Sequence, residues 1–195
     1  MNTQPRVLAF AGSTRAASFN KKLVRIAMEG AARKGAAVTY LDLRDLPLPL
    51  FDEDLEAAEG LPENARTLKA AFLAHDALLI SSPEYNSSIS AVLKNAIDWV
   101  SRPAPGEAPL ACFEGKIAAL LSASPGALGG LRGLVHLRAI LGNIRVIVLP
   151  EQIAVPRAHE AFEAEGQLKD AKLKDSVERL GGQLATITAR LRAGP

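Results

Sequence analysis

Short apolar runs alternate along the chain with longer segments of helical periodicity. The runs are rich in Val, Ile, Leu and Ala and occupy residues 6–11, 37–42, 76–82, 115–122 and 143–150. In the segments between them, apolar residues recur about every 3.6 positions, as on one face of an amphipathic helix. Alternation of this kind predicts strand, helix, strand units, which build a parallel sheet. We therefore expect an α/β fold with a doubly wound, five-stranded open sheet.

The helical segments are expected after the first strand, from about Phe19, and at residues 62–75, 90–101 and 130–141. A last helix is predicted by an apolar stripe with spacings of three and four, formed by Leu173, Val177, Leu180, Leu184, Ile187 and Leu191. Residues 42–60 are acidic and rich in Pro, and residues 155–175 are polar and irregular. Residues 42–60 are expected to form a surface loop. For residues 155–175 the alternatives are a lid, a partner contact or a solvated connection, of which the solvated connection is favoured.

Charge and cysteine content limit the classes of partner. The 195 residues include 23 basic and 21 acidic side chains, a net charge of +2 without long blocks of either sign. This balance argues against a nucleic-acid or membrane partner. Cys112 is the single cysteine, which suits a reducing compartment, and the first ten residues lack the apolar core of a signal peptide. We expect one cytoplasmic domain over residues 1–195.

Polar loops follow the first, third and fourth predicted strands, where ligands bind in doubly wound sheets. The first, residues 12–20, combines the hydroxyls of Ser13, Thr14 and Ser18 with the Asn20 amide and the Arg15 guanidinium at the start of a helix. Free N–H groups at a helix N-terminus attract anions. This loop therefore predicts a phosphate site, the alternative being ordinary helix capping by Ser18.

The two common glycine-rich nucleotide loops are excluded. Gly12 is the only glycine between residues 1 and 29, so neither the phosphate loop with Gly-Lys nor the G-x-G-x-x-G pattern is present. A loop that binds phosphate mainly through hydroxyls is used in flavodoxin-like folds for the terminal phosphate of FMN.

The other two loops carry groups that suit a planar heterocycle. In residues 82–90, Pro83 favours a turn, Tyr85 offers an aromatic face and Asn86 offers hydrogen-bond donors. The alternative is that Tyr85 is a core aromatic at the end of a strand. Residues 122–130 begin with Ser122 and contain several glycines, which would let the backbone approach a flat ring.

The segments "GSTRAASFNKKL" (12–23) and "PEYNSSISAVLKNAIDW" (83–99) resemble the two signature segments of the NAD(P)H-dependent FMN reductase family, which includes quinone, chromate and azo reductases. The segments "LRDLPL" and "SASPGALGG" are similar to further family features. The resemblance implies a flavodoxin-like three-layer sandwich with strand order 2-1-3-4-5 and bound FMN. It also implies dimers or tetramers with the flavin near the interface.

Carried over by position, the resemblance implies two groups of FMN contacts. Ser13, Arg15 and Ser18, with Asn20 and the backbone of Phe19, would bind the phosphate. The isoalloxazine ring would be lined by Pro83, Glu84, Tyr85 and Asn86, with Ser122 nearby.

The implied activity passes hydride from NAD(P)H through FMN to quinones or to other acceptors such as chromate, azo compounds or flavins. No acid–base residue of the chain is required, because the chemistry belongs to the cofactor. The three histidines lack metal-ligand spacing, so no metal site is expected. Two alternatives remain: a flavin reductase that uses FMN as a diffusing substrate, and a flavodoxin-type electron carrier.

Overall fold

The computed structural model describes residues 4–193. Its strands are β1 (Arg6–Ala11), β2 (Ala37–Asp42), β3 (Ala77–Ser81), β4 (Glu84–Tyr85), β5 (Ser88–Ile89), β6 (Ile117–Ala123) and β7 (Ile147–Val155). Its helices are α1 (Phe19–Arg33), α2 (Glu53–Glu59), α3 (Glu63–Ala74), α4 (Ala91–Ser101), α5 (Leu131–Asn143), α6 (Ala158–Ala161) and α7 (Ala171–Ala193), with a 3-10 turn at Leu43–Asp45. In this part of the chain, no helix is both long and apolar enough to cross a bilayer.

Five of the described strands form one parallel sheet in the order β2-β1-β3-β6-β7. This order is the predicted 2-1-3-4-5 when only the strands of this sheet are counted, so the flavodoxin-like prediction is confirmed. The central strands are almost entirely buried, as expected where helices cover both faces of a sheet.

Two cores lie on opposite faces of the sheet. On one face, α1 and α7 pack against Val7, Leu79 and Leu121. On the other face, α3, α4 and α5 pack against Leu8, Leu78, Leu120 and their neighbours. Since successive side chains of a strand point to opposite faces, one apolar run supplies both cores.

Glycines set the distance between α1 and α7. A Cβ atom on Gly30 of α1 would lie 1.8 Å from the carbonyl oxygen of Glu178. In the same contact, a Cβ on Gly181 of α7 would lie 1.9 Å from the carbonyl oxygen of Ala27. Both distances are far below van der Waals contact, so these helices pack with their backbones touching.

Three local predictions were wrong. Residues 143–150 were expected as the fifth strand, but α5 extends to Asn143 and β7 runs from Ile147 to Val155, through Pro150. A proline is tolerated there because β7 is an edge strand with an irregular register. Within 42–60, Asp52 accepts from the N–H groups of Asp54 and Leu55 and so caps the short helix α2. The stretch 155–175, expected to be a solvated connection, contains the short helix α6 and the first turn of α7, and its Phe162 and Leu168 are buried in the core.

Candidate functional site

The carboxyl edge of the sheet brings the three polar loops together. We call residues 12–18 the first loop, 82–90 the second loop and 124–130 the third loop. The first loop leads to α1 on one face and the second to α4 on the other, so a crevice opens between β1 and β3. Gly12 N–H donates to Ser81 O at 2.9 Å, and Ser90 Oγ donates to Gly12 O at 2.6 Å. These bonds join the first loop to the end of β3 and to the second loop.

The first loop places its predicted ligands around the start of α1. Ser13 and Ser18 are each 4% exposed, and Arg15 is exposed. The Arg15 N–H donates to Ser13 Oγ at 3.3 Å, and its guanidinium donates to Ala17 O at 3.4 Å. The guanidinium carbon also lies 5.9 Å from the centre of the Phe19 ring. Arg15 therefore curls back over the loop, towards the helix N-terminus.

The N-terminus of α1 has no side-chain cap. Ser18 is at the cap position in extended conformation, makes no side-chain capping bond, and no acidic residue follows in the first turn. The first intrahelical bond runs from Lys22 N–H to Ser18 O, so the preceding N–H groups of the turn have no helical acceptor. The capping alternative for Ser18 was therefore wrong. Hydroxyls, a guanidinium and free N–H groups at a positive helix end form a donor set that fits a phosphate.

The other two polar residues of this segment face elsewhere. The side-chain amide of Asn20 is 3% exposed and is hydrogen-bonded to Ser81 and Ala123, so its backbone N–H is the group directed to the uncapped helix end. Thr14 is exposed and lines a cleft of about 250 Å³ together with Leu46, Leu48 and Val92.

The second loop is a β-hairpin, which the sequence did not predict. Asn86 and Ser87 both have positive φ, 50° and 67°, as in the two-residue type I′ turn that joins twisted strands. Tyr85 stands 52% exposed beside this turn, so the core-aromatic alternative was wrong. Asn86 is also exposed, whereas Pro83 is buried. The turn thus presents an aromatic ring and an amide at the mouth of the crevice.

Glu84, predicted to line a ring, instead directs its carboxylate to the start of α5. It accepts from the N–H groups of Arg132 and Gly133 at 3.1 and 3.2 Å and from Arg132 Nε at 2.8 Å. Burial alone would raise the pKa of Glu84, but the side-chain and backbone hydrogen bonds and the Arg132 charge outweigh it and lower the pKa. Glu84 is therefore a helix-capping anion, and its carboxylate is engaged at the start of α5.

This arrangement predicts an acid-dependent contribution to stability. A carboxyl group with a lowered pKa in the folded state stabilises the protein above its ordinary pKa and loses that effect as the pH falls. We expect Glu84→Gln to reduce the free energy of unfolding at neutral pH by about 1–2 kcal/mol. The difference from wild type should shrink below about pH 4.3. Urea unfolding at several pH values measures it, with the exposed Glu163→Gln as control; a pH-independent difference would contradict the role.

Ser122, predicted near the ring, lies within β6 and is fully buried. Its hydroxyl has no hydrogen-bond partner among the described residues. Gly130 covers it with a φ of +93°, and a Cβ on Gly130 would lie 1.8 Å from Ser122 Oγ. The glycines of the third loop thus permit close packing of the loop on the protein itself, and Ser122 does not face the crevice.

Two site residues were missed by the sequence analysis. Ser81 donates its hydroxyl to Asn20, and Ser90 caps α4 through Leu93 N–H while it holds Gly12 O. Both are buried. A serine at the end of an apolar strand was the available signal for Ser81, but its partner is 61 residues away. Among residues 4–193, no group of three or more His, Cys, Asp or Glu side chains is arranged for a metal.

Comparison with known proteins shows which proteins the whole chain is similar to. Residues 5–160 match the family described as NADPH-dependent FMN reductase. An NAD(P)H-dependent FMN reductase of Pseudomonas aeruginosa is 36% identical over 193 residues, which cover 98% of this chain and 100% of the relative. An NADPH:quinone oxidoreductase of Arabidopsis thaliana is 36% identical over 192 residues, with 96% and 93% covered.

A solved structure of a flavoenzyme is also similar to this chain. FerB, a flavoenzyme NAD(P)H:(acceptor) oxidoreductase of Paracoccus denitrificans, superposes with a TM-score of 0.79 and 28% identity. The match covers 95% of this chain and 98% of FerB.

Proposed function

The chain belongs to the NADPH-dependent FMN reductase family, and on that premise we propose that it is an NAD(P)H-dependent oxidoreductase with bound FMN. It passes electrons to quinones or to other small acceptors such as chromate, azo compounds or free flavins. The observation that carries the proposal is the uncapped N-terminus of α1, surrounded by Ser13, Arg15 and Ser18. When bound, FMN supplies hydride acceptance from NAD(P)H and electron delivery to the acceptor.

The chain's own residues bind and orient the cofactor. The guanidinium of Arg15 offsets the charge of the phosphate, and the hydroxyls and free N–H groups complete its coordination. In the second loop, the exposed Tyr85 and Asn86 orient the ring. The proposed contact set comprises Ser13, Arg15, Ser18, the backbones of Thr14, Phe19 and Asn20, Pro83, the backbone of Glu84, Tyr85 and Asn86. Ser122 is buried beneath the third loop and is left out of the set. No residue is assigned acid–base catalysis.

Absorption and turnover test the proposal together. The purified protein is expected to show flavin absorption, or to acquire it with added FMN, and to oxidise NADH or NADPH when a quinone is present. A colourless preparation that cannot be reconstituted with FMN would refute it. Flavin that is lost on gel filtration while turnover with free FMN persists would favour the flavin reductase. Bound flavin without NAD(P)H oxidation would favour the electron carrier.

We further propose that the protein acts as a homodimer or homotetramer with the flavin near the interface. Exposed apolar side chains support this: Leu131 and Val135 lie one turn apart on α5, Leu128 precedes them, and Tyr85 projects from the hairpin that packs on α5. A carboxylate in such a patch would disfavour burial against a second copy.

Val135→Glu is accordingly expected to convert most of the oligomer into monomer. Light scattering coupled to gel filtration measures the mass in solution. Leu191→Glu, which alters an exposed leucine on α7 instead, serves as the matched control and should leave the mass unchanged. A wild type that is monomeric at micromolar concentration would contradict the proposed assembly.

The location and the domain organisation are also proposals. We propose that the chain works in the cytoplasm, and the presence of a single cysteine, Cys112, which has no partner for an internal disulfide, supports this. We propose one FMN-binding domain over residues 1–195, because α1 and α7, from the two ends of the sequence, pack in the same core. Cell fractionation and the cooperativity of unfolding test these two points.

A further inference from the structure

The side chain of Asn20 joins three elements at the edge of the sheet. Its Oδ1 accepts from Ser81 Oγ at 2.8 Å and from Ala123 N–H at 3.0 Å, while its Nδ2 donates to Ala123 O at 2.9 Å. The orientation of the amide is unambiguous, because the Ala123 N–H can only donate and its carbonyl can only accept. Both Asn20 and Ser81 are buried. We call these three hydrogen bonds the Asn20 bracket.

The bracket spans the two halves of the crevice. Asn20 lies in the first turn of α1, Ser81 is the last residue of β3 and Ala123 is the last residue of β6. The uncapped helix end belongs to α1, whereas the hairpin with the exposed Tyr85 continues from β3. Together with the hydrogen bonds of Gly12 to Ser81 and Ser90, the bracket therefore holds the start of α1 against the strand from which the hairpin continues.

Only an amide supplies this set of bonds. The position requires one acceptor for two donors and, beside it, one donor for a carbonyl. An aspartate would direct a second acceptor at the Ala123 carbonyl, and an apolar residue would leave three buried polar groups without partners. Such unpaired groups are costly, so the helix end would shift to regain them.

We propose that Asn20 is a positioning residue for the FMN phosphate, which acts through Ser81 and Ala123 and does not bind the phosphate with its side chain. This inference rests on the proposed function. It assigns Ser81, which is fully buried in β3, an indirect part in FMN binding. The phosphate and the ring must be bound at a set separation, and the bracket holds that separation.

A double-mutant cycle with two ligands tests the assignment. FMN and riboflavin are titrated into the apo-proteins of wild type, Asn20→Ala, Ser81→Ala and the double variant. We expect Ser81→Ala to weaken the binding of FMN about threefold to tenfold, which is the range for one lost hydrogen bond. Asn20→Ala should weaken it more, and the double variant should match Asn20→Ala, because Ser81 acts through Asn20. The affinity for riboflavin, which lacks the phosphate, should change less than twofold in each variant.

Thr188→Ala is the matched control. Thr188 is a buried hydroxyl on α7 that donates to Leu184 O at 2.7 Å, so its loss should lower stability without changing the FMN to riboflavin ratio. Urea unfolding of each apo-protein verifies that the Ser81→Ala variant, which keeps two of the three bonds, is folded.

Several outcomes would overturn the positioning role. One is an unchanged FMN affinity of Ser81→Ala, and another is a parallel loss of riboflavin affinity. A third is that the effects of the two substitutions add, which would make Asn20 a direct ligand of FMN. A wild type that binds neither flavin would overturn the proposed function instead. A wild type that binds FMN while Ser81→Ala behaves like Thr188→Ala would overturn the bracket's role alone.

Discussion

Replacement of both Arg15 and Ser18 by Ala is expected to weaken FMN binding by about 100-fold or more, since each charge-assisted hydrogen bond contributes about 1.5–3 kcal/mol. Arg15 is exposed at the first loop and Ser18 lies at the uncapped start of α1. The double variant loses the guanidinium and one hydroxyl but keeps the helix N–H groups. Fluorescence titration of the apo-protein with FMN measures the change.

Two controls separate a phosphate site from a general loss of structure. Riboflavin affinity should be nearly unaffected, because the substituted groups face a phosphate that riboflavin lacks. Arg179 lies on the exposed side of α7. The Arg179→Ala variant also loses one positive charge, and it should bind FMN as the wild type does. If the double variant is purified with full flavin content, the phosphate is bound elsewhere.

Gly30→Ala is expected to lower the free energy of unfolding by about 3 kcal/mol, at the upper end for an added methyl group in a packed interior. The new Cβ would lie 1.8 Å from the carbonyl oxygen of Glu178, and that oxygen belongs to the backbone of α7. This clash can be relieved only if the two helices move apart, and that movement loosens the core beneath them. Urea unfolding followed by circular dichroism gives the difference in free energy.

Gly142→Ala is the matched control with the opposite expected sign. Gly142 also lies in a helix, α5, but a Cβ there has no atom within 4 Å. Alanine has the higher helix propensity, so this substitution should raise stability by about 0.5–1 kcal/mol. Equal effects of the two substitutions would show that α1 and α7 separate without cost.

Strand prediction succeeded at the buried centre of the sheet, and it also matched the partly exposed edge strand β2. The bounds 6–11 and 37–42 match β1 and β2, and residues 76–82 contain β3. An apolar run that ends at polar loop residues is a strong local signal, because both strand faces need apolar side chains there. The edge strand β7 was displaced in the prediction since an edge tolerates Pro150 and polar residues, which weakens that signal.

The hairpin and the helix α2 were missed for a different reason. The strands β4 and β5 have two residues each, too few for an alternating pattern to be visible. They are held by an Asn86-Ser87 turn in place of the more familiar Asn-Gly. The helix α2 contains seven residues and no buried side chain, so it lacks an apolar stripe. Short elements of this kind depend on caps and on neighbours.

The sequence by itself determined the sheet, the three polar loops and the chemical types at the first loop, Ser13, Arg15 and Ser18. These follow from local order along the chain, since a strand end and the next helix start are close in sequence. Tertiary structure alone decided that the side chains of Asn20, Glu84 and Ser122 turn away from the crevice. Asn20 bonds to residues 61 and 103 positions away, and Glu84 to residues 48 and 49 positions away. A buried polar group takes the partner that folding brings to it, and local spacing does not encode that partner.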